Sequence, residues 1–241
     1  MPPRTYLVTG ASKGIGYATS QLLANHGHRV LGLARSAPQD ASPFHTFHPI
    51  DLADRAASAA LLTSLATQYG IDGILNNVGL VRPAPLEEVS LADLDAVLDL
   101  NLRVALQTVQ NALPHMKSQR WGRIVNISSL TAAGVPFRTC YAAAKTALIS
   151  FTRSWALELA SSGITVNAVA PGPVATGLFN TNNPPGSESR QRYIDGVPMK
   201  RTGEPAEIAA ANVFLLSEES SFITGQTLFV DGGSSIGRST V

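Results

Sequence analysis

Tyr6-Leu7-Val8-Thr9-Gly10-Ala11-Ser12-Lys13-Gly14-Ile15-Gly16 runs an apolar, strand-like stretch straight into a glycine-rich turn, and a helical segment follows. Glycines at 10, 14 and 16 permit a tight turn and let a pyrophosphate approach backbone N–H groups at the start of that helix. Strand, glycine turn and helix, in that order and at the start of the chain, are the opening unit of a dinucleotide-binding α/β fold. The spacing is G-x-x-x-G-x-G, which differs from the G-x-G-x-x-G of the usual dinucleotide fingerprint.

Outward from this unit, short β-branched or apolar runs alternate with longer Ala/Leu-rich segments. The pattern predicts strands near 4–9, 29–34, 45–50, 72–76, 122–128, 164–169 and 227–230, and helices near 14–26, 54–69, 91–117, 138–161 and 205–217. Such alternation specifies βαβ units: a doubly wound, seven-stranded parallel sheet with helices on both faces, in a single domain over 1–241. The stretch Asn180 to Arg190 is poor in core residues and reads either as a plain surface loop or as a lid after the sixth strand.

Composition narrows the function. With 44% hydrophobic residues the chain can build a sizeable core, and 18 basic against 17 acidic residues give a net charge of +1. No basic run is long enough to track a nucleic-acid backbone, which argues against nucleic acid and acidic membrane surfaces as partners. The N-terminal apolar run is too short for a signal peptide and no stretch is long enough to span a bilayer, so a soluble, cytoplasmic protein is expected. One cysteine, Cys140, excludes an intrachain disulfide and reads as a small packed residue, and the five histidines lack paired metal-ligand spacing, so no metal is expected.

Tyr141 and Lys145 stand four residues apart in a helical segment and so share one helix face. A phenol ordinarily ionises near about pH 10, and a neighbouring ammonium favours the phenolate, so Lys145 is expected to bring Tyr141 into range for acid/base work on an alcohol or ketone.

Taken together, the chain resembles the short-chain dehydrogenase/reductases over essentially its whole length. Thr9 to Gly16 match the family's T-G-x-x-x-G-x-G turn, Asn76-Asn77-Val78-Gly79 match N-N-A-G with Val for Ala, Tyr141 and Lys145 match Y-x-x-x-K, and Pro171-Gly172 with Thr176 match the segment that holds the nicotinamide. The resemblance implies cofactor contacts at Gly10, Ser12, Lys13, Gly14, Ile15, Gly16, Asn77, Gly79, Tyr141, Lys145, Pro171, Gly172, Val174 and Thr176, and at Asp51-Leu52 after the third strand, although Asp51 reads equally well as a helix N-cap. It implies a catalytic group of Asn101, a serine, Tyr141 and Lys145. The serine polarises the substrate oxygen, the tyrosine handles the proton, the lysine serves both the phenol and the ribose, and the asparagine helps hold a water. Counting back from Tyr141 by the family's commonest separation points to Ser128. Counting forward from Asn101 without a gap points to Ser129, and since loops absorb deletions more readily than strands, Ser129 is preferred.

The second strand ends Leu33-Ala34-Arg35-Ser36, with no carboxylate for ribose hydroxyls. Arg35 offers a planar donor fork suited to a 2′-phosphate and Lys13 adds a second cation, which predicts NADP(H). The expected reaction is hydride transfer between NADP(H) and a small-molecule ketone or secondary alcohol. A 3-oxoacyl carrier-protein or CoA thioester is one candidate, and a non-catalytic NADP-binding sensor or structural subunit is the alternative from another class. Of two arginines with which the carrier-protein reductases meet their acidic partner, Arg120 is present and the other position is Ser162. Val135, Pro136, Phe137 and the loop after Thr176 are expected to line an apolar pocket, and the resemblance implies a homotetramer assembled through the long helices.

Overall fold

Strand β1 (Thr5–Thr9) is buried along its whole length, because the sheet it centres is covered on both sides. The computed structural model describes residues 3–237. Seven parallel strands, β1, β2 (Arg29–Ala34), β3 (Thr46–Pro49), β4 (Gly73–Asn76), β5 (Gly122–Ile127), β6 (Ile164–Pro171) and β7 (Thr227–Val230), form one sheet in the order β3-β2-β1-β4-β5-β6-β7. Alternation along the strands feeds two cores. On one face Leu7, Ile74, Ile124 and Val166 meet helices α2 (Arg55–Tyr69), α4 (Val104–Gln119) and α5 (Thr139–Leu159). On the other, Tyr6, Val8, Leu75, Val125 and Val169 meet α1 (Gly14–Asn25) and α8 (Pro205–Leu216). The doubly wound, seven-stranded expectation therefore holds, and every predicted strand is present with ends shifted by at most a few residues.

The strand order reverses beside β1, which pairs with β2 on one edge and β4 on the other. At such a switch point the connections leave to opposite faces, and a crevice opens at the carboxyl ends of the strands.

Two helical expectations need correction. The segment 91–117 is not one helix: α3 (Leu91–Leu98) passes through a π-helical turn at Asp99–Arg103 before α4 begins. Asp99 braces that turn, accepting from Arg103 Nε at 2.9 Å and Nη2 at 2.8 Å and pairing with Arg55 Nη2 at 2.6 Å. Nor is 180–190 a plain loop. Thr176 and Ser187 each cap a short helix, α6 (Gly177–Asn182) and α7 (Glu188–Asp195), by accepting from the N–H groups of Phe179 and Arg190. Among the described residues no helix is long and apolar enough to cross a membrane.

Candidate active site

The glycine turn is bolted to the end of β4. Thr9 Oγ1 accepts from the backbone N–H groups of Asn77 at 2.9 Å and Val78 at 3.0 Å, while Asn77 Nδ2 donates to the carbonyls of Thr9 at 3.0 Å and Gly10 at 3.1 Å. Gly10 has φ +65°, and a Cβ on Gly16 would run into the Gly10 carbonyl and the Asn77 amide, so the first turn of α1 can lie on the loop only without side chains there. Lys13 precedes α1 in an extended conformation and gives it no side-chain cap. The opening N–H groups of a helix have no intrahelical acceptor and suit an anion.

The opposite wall holds the residues expected to be catalytic. Asn101 lies at the centre of the π turn, buried, with Nδ2 donating to the carbonyls of Val97 at 2.8 Å and Leu80 at 3.0 Å, and with Oδ1 buried and unpartnered. A Cβ on Gly79 would come 2.9 Å from that oxygen and 3.5 Å from Lys145 Nζ, so these two groups meet at a residue that leaves them room. Lys145, fully buried on α5, donates through Nζ to the Ile127 carbonyl at 2.8 Å, the side chain's one hydrogen bond among the described residues.

Ser128 and Ser129 point to opposite sides, as neighbours at the end of a strand do. Ser128 is buried with its hydroxyl donating to the Lys145 carbonyl at 2.8 Å. Ser129 is partly exposed, accepts from Thr131 N–H at 3.1 Å, and faces the Tyr141 phenol. The geometry thus brings Ser129, Tyr141, Lys145 and Asn101 together and uses Ser128 to fix α5 to β5.

Burial lifts the Tyr141 phenol to about 12, against the pull of the Ser129 hydroxyl and the Arg138 charge. Burial also drops the Lys145 ammonium to about 7. The expected acidification of Tyr141 by Lys145 is not seen in this structure: Nζ stands 5.4 Å from the centre of the phenol ring, and the phenol lies above its ordinary range. Desolvation disfavours both charged forms, and a lysine so easily neutralised lends its neighbour little field.

Known proteins resemble this chain over most of its length. Residues 10–235 match the family described as Enoyl-(Acyl carrier protein) reductase. The 3-oxoacyl-[acyl-carrier-protein] reductase FabG of Thermotoga maritima is 37% identical over 94% of this chain and 96% of its own. Among solved structures, the 3-oxoacyl (acyl-carrier-protein) reductase of Agrobacterium tumefaciens with NADP bound superposes with a TM-score of 0.89 at 31% identity, over 95% of this chain and 93% of that one. The ligand-free aldohexose dehydrogenase of Thermoplasma acidophilum gives 0.90 at 31%, over 99% and 96%. The chain belongs to the short-chain dehydrogenase/reductase family. It is accordingly an NADP(H)-dependent oxidoreductase of ketones and secondary alcohols.

The remaining residues of this short-chain dehydrogenase/reductase fit that cofactor. Arg35 and Lys13 are exposed, and neither has an ion pair among the described residues, so two cations stand free beside the end of β2. Thr176 leads off the far wall, its methyl 3.3 Å from where a Cβ on Gly14 would sit. Pro171 ends β6, Gly172 N–H donates to the Val230 carbonyl at 3.1 Å, and Val174 bridges Gly203 with its side chain in the core. The N-cap of α2 is Asp54, whose carboxylate accepts from Ala57 N–H at 3.0 Å. Asp51 is therefore not the cap. It accepts from Ala53 N–H at 3.0 Å and stays exposed, whereas Leu52 is buried in the core, leaving only its main chain to offer.

Sequence reasoning missed two supporting groups: a buried chain of Thr108, Asn76, Asn126 and Thr152 beneath the site, and Arg190 between α6 and α7. For the first, the signal was an asparagine inside each of two otherwise apolar strands, Ile74-Leu75-Asn76 and Ile124-Val125-Asn126.

Proposed function

We propose that the protein works as a ketoreductase, with Tyr141 the general acid, Ser129 the hydrogen-bond donor to the substrate oxygen, Lys145 the group that holds the ribose, and Asn101 the end of a proton path. The convergence of Ser129, Tyr141, Lys145 and the unpartnered Asn101 Oδ1 at one end of the sheet carries this reading. NADPH, when bound, supplies the hydride. Tyr141, protonated throughout the physiological range because burial raises its pKa, delivers its proton to the oxygen as negative charge develops there. Ser129 stabilises that same oxygen. Lys145 has two N–H groups to spare for the ribose hydroxyls, and pairing with them favours its charged form. The lysine then lowers the cost of the phenolate left by proton transfer.

Among carbonyl substrates, a 3-oxoacyl thioester is supported by the activity for which the similar reductases are named and weakened by the surface. Ser162 stands where a second arginine would be, and Arg120 at the end of α4 donates to the Ser161 carbonyl at 3.3 Å. Exposed Leu91, Leu106 and Leu157 on α3, α4 and α5 support a homotetramer assembled through these helices, and the protein is assigned to the cytoplasm. A monomer by light scattering would overturn the assembly.

The test is NADPH oxidation by the purified chain against a panel of ketones, with NADH in parallel. Turnover with a clear preference for NADPH is expected. Arg35→Ala should cut that preference roughly tenfold or more, the worth of a charge-assisted hydrogen bond. No turnover, with NADPH still bound, would favour a sensor or structural subunit.

A further inference from the structure

The backbone of Phe137, in the loop between Ser129 and Tyr141, is left-handed, with φ +63°. In that conformation an L side chain crowds its own carbonyl, and for a bulky residue it is a genuine outlier. The loop is held there from both sides. The Phe137 carbonyl accepts from Ala84 N–H at 3.2 Å, and α5 begins two residues later with Tyr141 in its first turn. The strain gains no core packing, since the ring is 61% exposed and Val135 beside it is 44% exposed. Glycine would hold this backbone without strain and without a ring. Strained residues of this kind gather at ligand clamps.

We propose that Phe137 is a specificity-determining residue, its ring forming the apolar wall that receives the larger substituent of the ketone when the carbonyl oxygen lies between Ser129 and Tyr141. One anchor, Ala84, follows five residues after Gly79, beside which Asn101 and Lys145 meet, and the other is the first turn of α5, which carries Tyr141. The substrate class that such a wall recognises is a ketone carrying an apolar or aryl group, because burying a hydrocarbon face against an exposed ring removes both from water. A polyhydroxylated ketone gains nothing from it. This inference deepens the ketoreductase reading and rests on it.

The experiment compares wild type, Phe137→Gly and Phe137→Ala in kcat/KM for acetophenone and for hydroxyacetone, with NADPH affinity and thermal midpoint measured alongside. Both variants should lose about tenfold or more on acetophenone and less than about twofold on hydroxyacetone, with NADPH affinity unchanged. Phe137→Gly should also melt about 2–4 °C higher than Phe137→Ala, because only glycine relieves the left-handed strain. An unchanged ratio between the two ketones, or an equal loss on both together with weaker NADPH binding, would overturn the proposal. If wild type turns over neither ketone, the reading of the reaction fails instead. The wall is then judged by acetophenone binding to the NADP+ complex, which should weaken about tenfold in Phe137→Gly and by equality would reject it.

Discussion

Beneath the catalytic corner, Thr108 Oγ1 donates to Asn76 Oδ1 at 2.6 Å, Asn76 Nδ2 to Asn126 Oδ1 at 2.9 Å, and Asn126 Nδ2 to Thr152 Oγ1 at 2.9 Å. This buried chain joins α4, β4, β5 and α5, the elements that lead to Asn101, Ser129, Tyr141 and Lys145. Above the corner, residues 175–202 are joined to the body at a stem, where Ala175 N–H donates to the Gly203 carbonyl at 2.8 Å and Gly203 N–H to the Pro173 carbonyl at 2.9 Å, and again beyond α7, where Met199 N–H donates to the Gly232 carbonyl at 3.2 Å. Within this roof Arg190 is the tie between α6 and α7. Its Nη1 donates to Asn180 Oδ1 at 2.8 Å and the Asn183 carbonyl at 3.4 Å, and its guanidinium lies 5.6 Å from the centre of the Phe179 ring. The floor is satisfied, buried and shared by four elements, so it permits one geometry. The roof is half-exposed and its helices α6 and α7 are tied to each other through Arg190 and the Phe179–Tyr193 ring pair, so these two helices can shift without disturbing the sheet. Damage to the floor should appear in stability and kcat, and damage to the roof in KM.

The sharpest break of that comparison is at the serines and the phenol. Tyr141→Phe should lower kcat roughly 10²–10⁴-fold and Ser129→Ala roughly 10²–10³-fold, with melting temperatures little changed. Ser128→Ala removes a second, side-chain donor to the Lys145 carbonyl and should cost about 0.5–1.5 kcal/mol of stability with turnover lowered less than about tenfold. Equal loss of turnover from Ser128→Ala and Ser129→Ala would erase the distinction between support and chemistry. Next in size, Asn126→Ala strands the buried Asn76 amide and opens a cavity, while the Thr152 hydroxyl keeps only its bond to the Leu148 carbonyl at 2.8 Å. About 3 kcal/mol should be lost, read as a thermal midpoint lower by roughly 6–12 °C, with KM for the ketone hardly moved.

The floor was partly legible in the sequence and the roof was not, for physical reasons. Strands such as Ile124-Val125-Asn126-Ile127 announce themselves by composition, and the glycine turn by a backbone requirement that few other residues meet. Alternation at Ser128-Ser129 shows that the two must differ, and the fold then shows which way each points. The π turn at Asp99–Arg103 leaves no such mark, because inserting one residue into a helical turn changes hydrogen bonding without changing composition. Residues 180–190 read as a loop because the segment has little apolar periodicity. Its helices are held by the caps Thr176 and Ser187 and by Arg190, a polar contact between residues ten apart that periodicity does not register.

A pH-dependent effect sets Tyr141 and Lys145, the buried pair on α5, apart from the floor. Lys145 ionises near 7 in the native state against 10.5 ordinarily, so between those values the unfolded chain holds a proton the native chain has released. Stability should therefore rise with pH through that window. Tyr141 has the opposite sign. Its pKa is raised from 10.0 to about 12, so the native phenol keeps a proton the unfolded one has lost, and stability should fall above pH 10, with Tyr6, also raised by burial, adding to the fall. Urea midpoints from pH 6 to 11 should climb and then turn over, and Lys145→Met should flatten the climb; a climb that survives in Lys145→Met would assign it to other groups.

The smallest effect belongs to the roof. Arg190→Ala removes two partly exposed charge-assisted hydrogen bonds and the contact with the Phe179 ring, a loss that solvent screening holds to about 1 kcal/mol, so KM for the ketone should rise roughly three- to tenfold while kcat stays within about twofold. The thermal midpoint should move by less than about 2 °C, because the backbone bonds at Gly203 still close the stem. Hydrogen exchange in peptides covering 176–196 should accelerate, whereas exchange in β4 and β5 should not. If Arg190→Ala instead melts as far below wild type as Asn126→Ala, the roof is part of the same cooperative unit as the floor. Substrate selectivity would then have to be sought at the rim, in Phe137, and not in movement of the lid.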